Sequence, residues 1–364
     1  MKRINRVATL CIGLLSLHTF PSCTNTRQGI ESSPPVTESI DSNESTPYEG
    51  NKTPLEGNIE SNIQKIIDSG VDINAKQGPY DTTLLMDAAA NGRIEDIKLL
   101  IEHKADLSVK DSQGRTALMY ALENNKIEVI KLLVERNSDS NRLSYNIGDN
   151  HGQTPLIKAV IKNDTDAVKY LLEEPKVNIN ARDHSSRTAL IYAVIYGHKD
   201  CVDLLLDKGA DMSVEDCEGK TAFIHAAINY GEGERKDIIG ELDERGADIN
   251  AKDHKGITVF MHLIVAISNM TSSDHKQPSV PRFLENQKIN VDATDNEGKT
   301  ALMYAAIHDN FFVVLALVQG WMKGQKANIH LRDYSGKTAY AHAVESRRFE
   351  IAEFLTKQGA DPNE

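Results

Sequence analysis

Apolar and small residues recur along this chain behind a regularly placed threonine. Thr83, Thr116, Thr154, Thr188, Thr221, Thr258, Thr300 and Thr338 each stand before an apolar pair and then small residues, at spacings of 33 to 42 residues. A base period near 33 with short insertions marks a tandem array. Each period predicts two helices. Threonine is a favoured N-cap, and the segment behind it carries alanine pairs such as Ala88-Ala89, Ala226-Ala227 and Ala305-Ala306, small enough for close helix approach. A second segment carries larger apolar residues, for example Ile97, Leu99 and Leu100, or Val202, Leu204 and Leu205. It stops at Gly209 or Gly246, residues suited to a left-handed helix C-cap. One such pair buries too little by itself, so the core forms between stacked copies.

A turn is predicted ahead of each threonine. Asp111, Asp149, Asp183, Asp216, Asp253, Asp295 and Asp333 open it, where a carboxylate can accept backbone N–H bonds. Three residues later stand Gly114, Gly152, Gly219, Gly256, Gly298 and Gly336, where a positive φ would strain any other residue.

The run from Asp111 through Gly114, Thr116, Leu118 and Ala121, and Gly209-Ala210-Asp211 closing the Leu204-Leu205-Leu206 helix, resemble the ankyrin repeat. The resemblance implies an all-α repeat solenoid of helix-turn-helix units joined by β-hairpin loops, over residues 53–364. Eight full repeats follow an abbreviated N-terminal cap, which passes from Thr53-Pro54-Leu55 almost directly to Ile63, Ile66 and Ile67, so its first helix is expected to be short or absent. The family's proline after threonine is kept only at Pro155, and its histidine is replaced by residues such as Met86, Ile157 and Ala341. The substitutions keep an apolar interior but are expected to remove the histidine's side-chain bonds between repeats.

The N-terminus carries a different pattern. Lys2, Arg3 and Arg6 precede an apolar run from Val7 to Phe20, which has the charge order of a secretory signal and is too short to span a bilayer. Phe20-Pro21-Ser22-Cys23 resembles a bacterial lipoprotein cleavage site, although Phe20 and Pro21 depart from its usual residues. The resemblance implies a signal peptide over 1–22 and lipidation of Cys23, with a plain secreted protein as the alternative. Residues 23–52 are rich in Ser, Thr, Pro, Glu and Asn and cannot bury enough surface to fold. They read as a flexible tether that holds the array roughly 30 Å from a lipid surface.

A formal net charge of −12 argues against a nucleic-acid footprint and against anionic membrane surfaces. A membrane is therefore expected only through the lipid anchor, and the expected location is the bacterial cell envelope. Of the four cysteines, Cys201 and Cys217 fall in the array, near the start of a second helix and on the following hairpin tip. That separation, about 12 Å, predicts two unbridged thiols. No phosphate loop, HExxH, CxxC or G-x-S-x-G is present. The expectation is a non-catalytic protein-protein interaction module with no cofactor and no metal. The rivals are a host-directed surface or secreted effector or adhesin, and an enzyme or metal-dependent protective protein.

Two columns are candidate partner contacts. Tyr120, Tyr192, His225, His262, Tyr304 and His342 occupy one position on successive first helices, as a recognition stripe or as half-buried packing. Arg115, Arg187, Lys220, Lys299 and Lys337 line the hairpins, as a grip for an acidic partner or as solvated turn residues. Insertions are expected as loops near 138–146, 231–235 and 268–281, the last being polar and containing Pro278 and Pro281. Trp321 lies in another irregular stretch, either as a partner anchor or packed on the repeat edge.

Overall fold

The computed structural model describes residues 60–137, 144–231, 233–274, 289–321 and 324–362, all within one compact unit, Asp41–Glu364. The signal peptide, Cys23, the tether and the start of the cap lie outside these residues. The expected helical solenoid is what forms. Sixteen α-helices occur among the described residues, and strand pairing is confined to isolated bridges such as Lys252 with Thr258.

Inner helices are α2 (Leu84–Asn91), α4 (Ala117–Glu123), α6 (Pro155–Ile161), α8 (Ala189–Tyr196), α10 (Ala222–Ile228), α12 (Val259–Asp274), α13 (Ala301–Ile307) and α15 (Ala339–Glu345). Each packs on the next in that order. Outer helices are α1 (Glu60–Asp68), α3 (Ile94–Glu102), α5 (Ile127–Asn137), α7 (Thr165–Glu173), α9 (Lys199–Asp207), α11 (Glu234–Glu244), α14 (Phe311–Gln319) and α16 (Phe349–Lys357). The core lies between the two layers and between copies. Leu85, Ala88, Ile97 and Leu100 of one repeat are fully or nearly buried, as are Leu118, Ala121, Ile130 and Leu133 of the next.

The threonines cap as expected. Thr83, Thr154, Thr188, Thr221, Thr258, Thr300 and Thr338 each accept a bond from the backbone N–H three residues on. Thr116 is the exception: it is buried but makes no such bond. Cys201 and Cys217 form no disulfide, as expected. Burial pushes the Cys201 thiol up to about 11.

One insertion differs from expectation. The polar segment that begins at Ser268 starts as helix, because α12 continues to Asp274 and has 16 residues where the other inner helices have seven or eight. Ser268 is buried there, donates to the Ile264 carbonyl at 2.7 Å, and accepts from Asn310 at 3.1 Å. These bonds satisfy a hydroxyl that would otherwise oppose a buried helix position. Residues 275–288, with both prolines, lie outside the described residues. The 231–235 insertion does lengthen a loop, between α10 and α11, whereas most of the 138–146 segment falls outside the description.

Successive hairpins are stitched edge to edge. The N–H one residue after each hairpin aspartate donates to a carbonyl of the preceding hairpin, as in His184 to His151, His254 to Glu218 and Tyr334 to Glu297, at 2.9–3.0 Å. The hairpin glycines serve that stitch as well as the turn. At Gly219, with φ +77°, an added Cβ would lie 2.4 Å from the His254 ring and 2.7 Å from its backbone nitrogen. At Gly336, with φ +82°, nothing lies within 4 Å. Both Gly219→Ala and Gly336→Ala should carry the left-handed strain of about 1–2 kcal/mol. Only Gly219→Ala should also displace the neighbouring hairpin, adding at least about 1 kcal/mol in chemical denaturation and speeding amide exchange at His254.

Candidate interaction surface

Each hairpin aspartate is held in the same way. Oδ1 of Asp183 accepts the backbone N–H groups of Ser185 and Arg187, both at 2.9 Å, and the pattern repeats at Asp111, Asp149, Asp216, Asp253, Asp295 and Asp333. Oδ2 then receives a side chain from the inner helix of the same repeat. Tyr120, Tyr192 and Tyr304 reach Asp111, Asp183 and Asp295 at 2.8, 2.6 and 2.8 Å. His225, His262 and His342 reach Asp216, Asp253 and Asp333 at 2.8, 2.9 and 2.8 Å. Where Asp149 opens a repeat with neither ring, Lys158 reaches it at 2.7 Å. The inner helices therefore carry side-chain bonds other than those of the expected histidine. These bonds come from the following residue and run from helix to hairpin within a repeat.

Electrostatics follow from burial of these carboxylates. Burial would raise the Asp216 carboxyl, but the bonds from His225 and from the Lys220 and Glu218 N–H groups outweigh it and bring the pKa down to about 2. Burial lowers the His225 imidazole against the opposing pull of Asp216, so at neutral pH the ring is uncharged and donates from Nε2. Burial, followed by the aspartate bond, raises the phenols of Tyr120, Tyr192 and Tyr304, which stay protonated donors. Each pair sits in its own repeat. No group of three or more His, Cys, Asp or Glu able to hold a metal occurs among the described residues.

The ring column is thus tied to the hairpins. Tyr120 is 1% exposed, and His225 and His342 are buried too, while His262 and Tyr304 are half-buried. The basic column is also engaged. Arg115 bonds to Asp111, Tyr120 and Glu123; Arg187 lies 3.6 Å from Asp216 of the next repeat; Lys220, Lys299 and Lys337 pair with Glu218, Glu297 and Glu345. Trp321 is half exposed and meets Phe312 edge-on at 5.4 Å between centroids, so it both packs on the repeat edge and reaches solvent.

A third column escaped the sequence reading. Three residues after each ring position, Ile161, Ile195, Ile228, Val265 and Ile307 stand on five successive inner helices, with Glu123 and Glu345 at the same position in flanking repeats. Ile228 is 37% exposed and the other four apolar residues are partly exposed. Three members of the column reach the hairpins. Glu123 and Glu345 bond back to Arg115 and Lys337, and Ile307 lines a recess of about 560 Å³ with Asn296, Tyr334, Lys337 and His342. The signal was present in the sequence as the helix repeat of three to four residues beyond the ring column.

A family model for ankyrin repeats in three copies matches residues 55–144, 85–183, 143–216, 176–253 and 263–364, well over half of the sequence. The chain belongs to the ankyrin repeat family. Two solved structures are similar to it. The crystal structure of EF0377, an ankyrin repeat protein, is 30% identical with a TM-score of 0.44, over 48% of this chain and 87% of that one. The ankyrin repeat domain of Bcl-3, a member of the IkappaB protein family, is 22% identical with a TM-score of 0.48, over 76% of this chain and 98% of that one. Ankyrin repeats are protein-protein interaction modules, and the chain offers a hairpin-lined inner face of that kind.

The aspartate pairs predict two outcomes. Tyr192→Phe leaves a buried carboxylate oxygen without its donor and should cost about 1–3 kcal/mol, read by denaturant melts. Asp216 has a folded-state pKa below the ordinary value of 3.8. Its contribution is therefore complete above that value and lost as pH falls toward about 2. Acid unfolding of Asp216→Asn should accordingly be shallower than that of the parent between about pH 4 and pH 2.

Proposed function

We propose that the protein is a non-catalytic ankyrin-repeat lipoprotein of the bacterial cell envelope, whose inner face binds another protein near a membrane. The observation that carries the binding reading is the partly exposed Ile/Val column beside the hairpins. Buried apolar contacts supply most association energy, and this column leaves such surface open at the centre of the array. The tethering half of the reading rests on sequence alone: the Lys2, Arg3 and Arg6 cluster, the apolar run to Phe20, and Cys23 after Ser22. No helix among the described residues is long and apolar enough to cross a membrane. Two or three acyl chains on Cys23 would anchor the protein durably, since each buried CH₂ contributes about 0.8 kcal/mol. Under the alternative of an outward-facing effector or adhesin, the same inner face would meet a host protein.

Membrane fractionation with crosslinking from the producing cell tests both halves. The parent is expected in the membrane fraction with a specific crosslinked protein, and Cys23→Ala in the soluble fraction without it. An unchanged distribution of Cys23→Ala would remove the anchor. An anchored protein with no partner in the cell, but digested by protease added to intact cells, would favour the outward-facing reading.

A further inference from the structure

The inner-face column has a spacing that selects among partner conformations. Packed helices lie about 8–10 Å apart, so one apolar side chain per repeat asks a partner for an apolar group at about that interval. An α-helix supplies it with every seventh residue, which advances about 10.5 Å and returns to nearly the same face. A β-strand covers about 10 Å in three residues, but an odd step places successive side chains on opposite faces. Polyproline II advances about 9.3 Å per three-residue turn, yet such segments dock in aromatic-lined grooves. Here the column is aliphatic, and the hydroxyls of the nearby tyrosines are bonded to aspartates.

Charge adds a second constraint. Glu123 and Glu345 occupy the column position in the repeats that flank the aliphatic stretch, and the Glu345 side chain is 60% exposed. Both pair with hairpin bases, so the long-range sign is set by the net charge of −12, which favours a cationic partner.

We propose that Ile161, Ile195, Ile228, Val265 and Ile307 form a track for an amphipathic α-helix of a partner protein. That helix lies along the stacking axis, carries one apolar residue in every seven, and is basic on its remaining faces. The proposal deepens the interaction-module reading and rests on it. The recess beside Ile307, walled by Tyr334, accepts the bulkiest apolar side chain of the helix, because it is the place where the track opens between two hairpins.

The test is selection of a random peptide library, displayed on phage and about 30 residues long, against the full chain. Expected winners show apolar residues at seven-residue intervals with an excess of Lys or Arg between them, and become helical on binding by circular dichroism. Ile228→Lys with Ile307→Lys should weaken the best of them at least about tenfold, with the thermal melt of the protein unchanged. Proline-rich winners, winners alternating every two residues, no enrichment, or equal binding to the double variant would each overturn the proposal. Crosslinking from the producing cell separates this failure from that of the module itself. A partner still captured by the double variant leaves an interaction module with a different contact surface, whereas loss of all capture from the parent removes both.

Discussion

A carboxylate taken out of water must be given back its hydrogen bonds, and the ankyrin array does this in each repeat from Asp111 to Asp333. In Asp111, Asp216 and Asp253 the side chain is 3% exposed or less, and its oxygens are divided between two tasks. Oδ1 closes the turn on two backbone N–H groups; Oδ2 takes a phenol or imidazole from the inner helix. One residue thereby fixes the hairpin shape and its angle to the helix. The edge-to-edge bonds between hairpins depend on that angle, and the close stacking of inner helices depends on those bonds. Lys158 at Asp149 shows that the requirement is a donor of the right length, with the ring as one way of meeting it.

Most of the scaffold was legible because the repeat writes the same physics several times. The threonine caps, the hairpin aspartates, the positive-φ glycines and the unbridged cysteines could each be read from side-chain chemistry and spacing. The ring column was located correctly but its partners were not, since a sequence shows that Tyr192 recurs with Tyr304 and not that each hydroxyl lies over an aspartate nine residues earlier. The aliphatic track went unread for a related reason. Isoleucine and valine on a helix look like core, and only the packed array shows Ile228 left partly open. Ser268 was read as a loop start because it is polar, whereas a serine that bonds back to the Ile264 carbonyl can continue a helix into a buried environment.

The division of labour has a functional consequence. Rings that look suited to recognition hold the scaffold together, and basic residues that look like a grip neutralise carboxylates along the hairpins. The partly exposed aliphatic positions of the inner helices, from Ile161 to Ile307, are not consumed by these bonds, and the proposed recognition rests on them. Such a surface discriminates by shape and spacing more than by individual hydrogen bonds.

Ser186 occupies a hairpin place that glycine fills in most other repeats and still adopts a φ of 62°. The residue of the next hairpin that would lie against it is Cys217, smaller than the His254 or Tyr334 that cover Gly219 and Gly298. A Cβ and a small neighbour thus stand together at this one repeat boundary. Removing the fifth repeat in frame would seat His254 over Ser186, bringing an imidazole against a Cβ. Repeats at this boundary are therefore not interchangeable with the others, and the array is less modular than its periodicity suggests.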